Sequence, residues 1–274
     1  YIEQILDKDP THIDALKFLK RVFERKEAWQ EAEQTAKNIY CISHNSADLA
    51  EIFKILIKQN KFDEIFEFKF NTNDKYVYLE LARAYYYKKD FQKALEILTK
   101  IQPQMTNNQE FLLLLGQCYY YSNQKERCIE IIGQFKGKNA EQMNFLGLVE
   151  TYPENYKEAV SYFNKAIKQN RLNSEYYYNV ANVYFKQGEL ALAKRNYNLA
   201  ISICPENQNY HFALANLYYS EKHYKKALEE LEGNFFEARF LKAVILYETG
   251  YLALARKELS ELALEYPNRE MVNE

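Results

Sequence analysis

Two registers of small side chains recur along this chain with one shared period, and helices that carry them are committed to packing closely in pairs. The unit is clearest from Ser174 to Asn207, where Tyr177, Val180, Ala181 and Tyr184 fall at helical spacing. Gly188 interrupts the pattern, and Leu190, Ala193, Tyr197, Ala200 and Pro205 follow it. Apolar residues three and four apart on either side of a glycine describe two short amphipathic helices joined by a turn. The template begins at Ile13, Ser46, Lys75, Gln109, Ala140, Ser174, Gln208 and Phe236, so eight units follow one another at intervals of 33, 29, 34, 31, 34, 34 and 28 residues. The eighth residue of each unit reads Lys20, Phe53, Ala82, Gly116, Gly147, Ala181, Ala215 and Ala243. The twentieth reads Ala32, Ile65, Ala94, Cys128, Ala159, Ala193, Ala227 and Ala255. Small residues where two helices cross let their backbones approach, while larger neighbours such as Leu81, Leu115 and Val180 fill the flanks.

Composition agrees with a helical chain. Only 7 Gly and 5 Pro interrupt 274 residues, and Pro10, Pro205 and Pro267 stand where second helices should stop. Three units are short by several residues in the second helix or the link after it, with helix-breaking Asn71, Asn73, Gly133, Gly137 and Gly233 in those places. The net charge of -2, with Lys and Arg dispersed, lacks the basic footprint of a phosphate-backbone binder. No apolar run approaches the roughly 18 residues of a membrane span. Cys41, Cys118, Cys128 and Cys204 lie far apart in helical contexts and read as buried free thiols. His12, His44, His211 and His223 share no helical face, so no metal or catalytic cluster is expected, and no phosphate-binding or nucleophile motif occurs. Trp29 reads as a packing residue near the start of a second helix.

The Ser174–Asn207 segment and its copies resemble the tetratricopeptide repeat, a helix–turn–helix motif of about 34 residues. The resemblance implies an all-α, right-handed α-solenoid of about eight such repeats, some with shortened second helices. Residues 1–12 would end a preceding truncated repeat, 13–74 form two divergent repeats, 75–269 six repeats and 270–274 a tail. The family implies a non-catalytic scaffold without cofactor or metal. It binds other proteins or peptides rather than nucleic acid, does not itself insert in a membrane, and works within a larger assembly such as an envelope, secretion or motility machine. The alternative is a substrate-docking arm of a larger enzyme. Oligomeric state and compartment stay open; a cytoplasmic setting is weighted over a periplasmic one, and the opening Tyr1 reads as a cut from a longer protein.

In that family the first helices line a concave face. The residues at the corresponding places of the first two units are mixed and somewhat basic, including Lys17, Arg21, Lys54 and Lys58. From the third unit they become aromatic and amide-rich: Arg83, Tyr86, Tyr87, Gln117, Tyr120, Tyr121, Tyr178, Asn182, Phe185, Asn216, Tyr219 and Tyr247 are the expected partner-binding residues. Tyrosine gives large contact area at little rotamer entropy. Asn182, Asn216 and Gln117 suggest a ladder of carboxamides able to donate to and accept from an extended backbone. Tyr178 and Phe185 stand where a clamp for a C-terminal carboxylate would need Lys, which argues against chaperone-tail binding. The competing explanation is codon bias, under which the tyrosines pack helices and bind nothing. The register itself is open to test. Gly116→Leu should force two close helices apart and cost about 1–3 kcal/mol in a urea or thermal melt, and an unchanged melt would show the crossing to lie elsewhere.

Overall fold

The protein, a computed structural model, is described over residues 2–136, 139–152, 154–231 and 233–267. The expected helix-breaker Gly137 and the expected tail 270–274 lie outside these. Among the described residues every regular element is a helix. After α1 (Ile2–Lys8) come eight antiparallel pairs. They are α2/α3 (Ile13–Arg25, Trp29–Ser43), α4/α5 (Ser46–Lys58, Phe62–Glu67), α6/α7 (Lys75–Tyr87, Phe91–Met105) and α8/α9 (Gln109–Tyr121, Lys125–Ile132), followed by α10/α11 (Ala140–Thr151, Tyr156–Gln169), α12/α13 (Ser174–Lys186, Leu190–Ile203), α14/α15 (Gln208–Ser220, Tyr224–Glu230) and α16/α17 (Phe236–Glu248, Leu252–Glu265). Each first helix starts at the residue where its sequence unit starts. The chain forms two compact units, residues 1–136 and 137–274, which hold α1–α9 and α10–α17.

The helix starts are written in the sequence as caps. Asn45, Asp74, Asn108, Asn139, Asn173 and Asn207 each precede a first helix and accept a backbone N–H of its first turn through the side chain. Such a cap contributes about 1 kcal/mol. Asn139 makes the reciprocal arrangement, with Gln142 bonding back to its N–H.

The helix ends are uniform in a way the sequence conceals. The fifteenth residue of every unit is left-handed: Glu27, Asn60, Lys89, Asn123, Glu154, Gly188, Lys222 and Gly250, with φ between 50° and 90°. In each turn the N–H of the sixteenth residue donates to the carbonyl of the eleventh at 2.8–3.0 Å, as from Asp90 to Tyr85 or His223 to Tyr218. This is the six-to-one bond that closes a helix through a left-handed residue. Only two of the eight are glycine, so the other six carry a Cβ where it is disfavoured.

Packing within each pair rests on the two small registers. Ala82, Ala94, Ala181, Ala193, Ala215, Ala227 and Ala243 have no exposed surface. A Cβ placed on Gly147 would lie 2.6–2.8 Å from the Phe163 ring, so this crossing leaves no room for even a methyl group. The second pair departs from the rule. Phe53 occupies the crossing place, and α5 stops after one and a half turns so that the extended segment after it can bring Phe68 and Phe70 to 5.8 and 5.7 Å from the Phe53 ring. The short α15 has a parallel cause, since the segment after it seats Phe235 at 5.4 Å from Phe212. In the first pair Lys20 takes the crossing place and reaches Glu51 of the next pair at 2.8 Å.

The expectation of four buried thiols holds for two of them, and Trp29 packs as expected. Cys118 and Cys128 are buried, and burial raises their thiols to about 12 and about 11. Cys204 is half-buried and Cys41 is exposed, because it faces outward near the end of α3. Trp29 is half-buried against the core formed by α3, α4 and α5.

Two outcomes follow from this packing. Glu27→Gly and Lys222→Gly should each stabilise the protein by about 0.5 kcal/mol, the left-handed penalty of about 1 kcal/mol less the extra chain entropy that glycine loses; denaturant melts read the difference. The second concerns Glu33 of α3, which burial alone would discourage from ionising. Hydrogen bonds from Lys37, Lys61 and Gln59 outweigh that and bring its carboxyl down to about 2. Because the folded value lies below the ordinary carboxylate value of 4.5, its contribution is full above pH 4.5 and fades as pH falls toward 2. Glu33→Gln should therefore lower stability at pH 7 and flatten the acid limb of the pH–stability curve in that window.

Candidate partner-binding faces

In the N-terminal unit the first helices are tied by a ladder of charges. Lys17 lies 3.7 Å from Asp48, Lys20 reaches Glu24 and Glu51, and Lys54 meets Glu51 at 2.8 Å. On α6, Arg83 bonds Glu80 at 3.0 Å and approaches Glu110 of α8 at 3.7 Å. Burial raises the Glu80 carboxyl, against the pull of Arg83 and Lys54. Of the somewhat basic surface expected of the first two pairs, Lys17 and Lys54 are thus matched by carboxylates, whereas Arg21 and Lys58 form no ion pair among the described residues. Arg83, an expected partner contact, is engaged in the ladder.

The remaining candidates of this unit, apart from half-buried Gln117 on α8, converge into one row of rings. Tyr86 lies 5.4 Å from Tyr87 and 6.0 Å from Tyr121, and Tyr120 lies 5.2 Å from Tyr121. Two rings from second helices complete it: Phe62 stacks on Tyr87 at 6.0 Å and Phe91 on Tyr121 at 5.2 Å. Tyr87 and Tyr121 keep 52% and 47% of their surface exposed. Sequence reasoning found the tyrosines but missed Phe62 and Phe91. Each opens a second helix, at the seventeenth place of its unit, and that position was the available signal.

In the C-terminal unit the candidates are more deeply knitted. Tyr178 packs 4.9 Å from Tyr210 and 6.1 Å from Tyr197, and Phe185 and Tyr219 lie against the apolar cluster that contains Tyr197, Leu214 and Leu217. The carboxamides are also engaged. Asn182 accepts the Tyr197 hydroxyl at 2.6 Å, and Asn216 donates to the Phe212 carbonyl of its own helix at 3.0 Å. The amides that meet across first helices are instead Asn179 and Asn144, at 2.9 Å and buried, with Glu175 at 3.4 Å from Asn144. Tyr219 donates to Glu248 at 2.8 Å, a bond that raises the phenol and lowers the carboxyl. Tyr247 is the most open candidate at 66% exposed, beside Leu252, Arg256 and Leu259 of α17.

The four histidines are dispersed. His12 caps α2, and His211 bridges Glu230 at 2.7 Å and the Pro205 carbonyl at 2.9 Å. No three His, Cys, Asp or Glu side chains converge on a metal-holding geometry among the described residues. No helix among them is long and apolar enough to cross a membrane.

Antiparallel helix pairs repeated on a small-residue crossing define an α-solenoid of helical hairpins, a class whose exposed faces receive other molecules. Family models of the tetratricopeptide repeat match residues 76–102 and 162–195, and a further one of the TPR repeat matches residues 181–221. The chain is a tetratricopeptide-repeat protein, and such repeats serve as protein-interaction scaffolds that are typically non-catalytic. No curated protein matches its sequence. The chain is similar to the crystal structure of the APC/C hetero-tetramer Cut9-Hcn1, with a TM-score of 0.75 and 13% identity over 99% of this chain and 57% of that one. It therefore spans little more than half of that relative's length. PilW, a widely conserved type IV pilus biogenesis factor, is similar with a TM-score of 0.62 and 18% identity over 74% of this chain and 98% of its own. A tetratricopeptide repeat protein from Parabacteroides merdae has a TM-score of 0.58 and 16% identity over 95% and 96%. At these identities the likeness is one of fold.

Proposed function

We propose that this chain is a non-catalytic scaffold that holds partner proteins or peptides through its tyrosine-rich faces, as one component of a larger assembly. The observation that carries this reading is the exposure of Tyr87, Tyr121 and Tyr247, each about half or more open to solvent. An aromatic ring left in water forgoes the burial that its neighbours obtain, and tyrosine is enriched where surfaces bind. The half-buried Tyr86 and Tyr120 support the exposed rings of the N-terminal row, while Tyr178, Phe185 and Tyr219 pack against the core of the C-terminal unit. Asn182 ties α12 to Tyr197 of α13, and Asn216 bonds the Phe212 carbonyl of its own helix. Arg83 and Gln117 border the N-terminal row.

The test is site-specific photo-crosslinking in the native host. A photoreactive residue at position 87, 121 or 247 should yield discrete protein adducts, while the same residue at the exposed positions Lys168 and Glu130 should not. Equal yields at all five sites, or none at the three tyrosines, would remove the basis for placing partner binding on these faces.

A further inference from the structure

The ring row of the N-terminal unit lies where first helices turn into second helices, and its surroundings narrow what it can hold. Its rings spend their faces largely on one another: Phe62 with Tyr87 at an interplanar angle of 23°, Phe91 with Tyr121 at 16°, and Tyr86 tilted between the two pairs. Each of these pairs gives up one face of both rings to its neighbour, which reduces what is left for stacking free bases. The backbone beside it is helical and closed by left-handed turns, so no strand edge invites an added strand. The turn tips alongside carry Asn60, Lys89 and Asn123, and Lys58 ends α4; all four are exposed. Lys88 and Lys93 are paired with Asp63 and Asp90, whereas Lys58 and Lys89 form no ion pair among the described residues.

Tyrosine edges flanked by carboxamides and ammonium groups suit one kind of extended chain. A polyproline II segment presents flat apolar rings together with carbonyls that have no internal partner, which carboxamide N–H groups can satisfy. Its turn of three residues advances about 9 Å, close to the roughly 8–10 Å between packed helices. Tyr87 and Tyr121 hold the same place in neighbouring hairpins and lie 5.4 and 6.0 Å from the shared Tyr86 ring, so they are at most about 11 Å apart, a reach of little more than one turn of such a segment. The two uncompensated lysines add a preference for carboxylates between the prolines. We infer that the ridge built on Phe62, Tyr86, Tyr87, Phe91 and Tyr121 docks an extended, proline-rich segment bearing acidic residues. This rests on the scaffold reading and names its partner's chemistry.

The measurement is fluorescence anisotropy of the full chain with a labelled peptide of repeated Pro-Pro-Glu, compared with Ala-Ala-Glu, Pro-Pro-Lys and oligouridine. Pro-Pro-Glu should bind at least about tenfold more tightly than each of the others, and more weakly as salt rises. Tyr87→Ala with Tyr121→Ala should lose about tenfold or more in affinity while the helical circular dichroism is retained. Lys58→Glu with Lys89→Glu, which removes no ring, should lose affinity as well and keeps the test valid if the tyrosine variant unfolds. Equal binding of Ala-Ala-Glu, preference for oligouridine, or parental affinity in both variants would overturn the inference. Crosslinks at 87 and 121 without Pro-Pro-Glu binding overturn it while leaving the scaffold reading intact, and failure of both experiments removes both.

Discussion

The close crossing of the two helices in each pair is the constraint from which the rest follows. Where the crossing residues are both alanine, as in Ala181 with Ala193 or Ala215 with Ala227, they are sealed from solvent and the large residues lie to either side. At Gly147 the facing Phe163 ring already occupies the place of a Cβ. Once the backbones are held at that distance, a first helix of thirteen residues or so presents one flank to its partner and another to the next pair. Its remaining face is the only part left to choose freely. Departures from the rule are compensated locally. Phe53 is too large for a close crossing, and the chain gives up most of a second helix to surround it with Phe68 and Phe70. Lys20 is too long, and it is led out to Glu51 and Glu24.

This explains what the sequence disclosed and what it withheld. A crossing needs a small residue at a fixed interval, so the period, the hairpin starts and the clipped second helices were legible. The turns were less so, because a left-handed residue is tolerated at a cost of about 1 kcal/mol rather than forbidden. Gly188 and Gly250 announce it, but Glu27, Lys89, Glu154 and Lys222 do not. The candidate faces were legible as positions but not as partnerships. Asn182 and Asn216 occupy corresponding places, yet what each amide bonds to depends on a tyrosine fifteen residues on, or on a carbonyl one turn back. The pairing of Asn144 with Asn179 joins places offset by one residue between neighbouring first helices, which alignment of equal positions cannot detect.

The abundance of Asn and Tyr also divides into structural and remaining parts. Five of the first-helix caps are asparagine, each stabilising an orphan N–H, so that residue type is used by the fold whatever its origin in codon usage. Tyr119, Tyr176, Tyr197, Tyr210 and Tyr218 are buried and serve packing. A codon-bias account covers these well. It has less to say about Tyr87, Tyr121 and Tyr247, whose exposed rings add little to burial.

The two units differ in how their first-helix faces are committed. In the N-terminal unit the first helices are tied by ions, from Lys17 and Asp48 through to Arg83 and Glu110. Ion pairs with one exposed partner stabilise weakly, by about 0–1 kcal/mol, and their strength falls with salt. In the C-terminal unit Arg239 of α16 is held by Glu258, Glu261 and Glu265 of α17, but the candidate faces are tied by hydrogen bonds and by rings drawn into the apolar cluster, where Tyr178, Phe185 and Tyr219 lie. A tyrosine whose ring supports a core and whose hydroxyl already serves a carboxylate, as Tyr219 serves Glu248, has little left to give a partner. The N-terminal tyrosines meet one another and the two phenylalanines that open second helices, at places outside the small-residue crossings. Recognition chemistry is therefore expected where the aromatic residues are supported by each other rather than by the core.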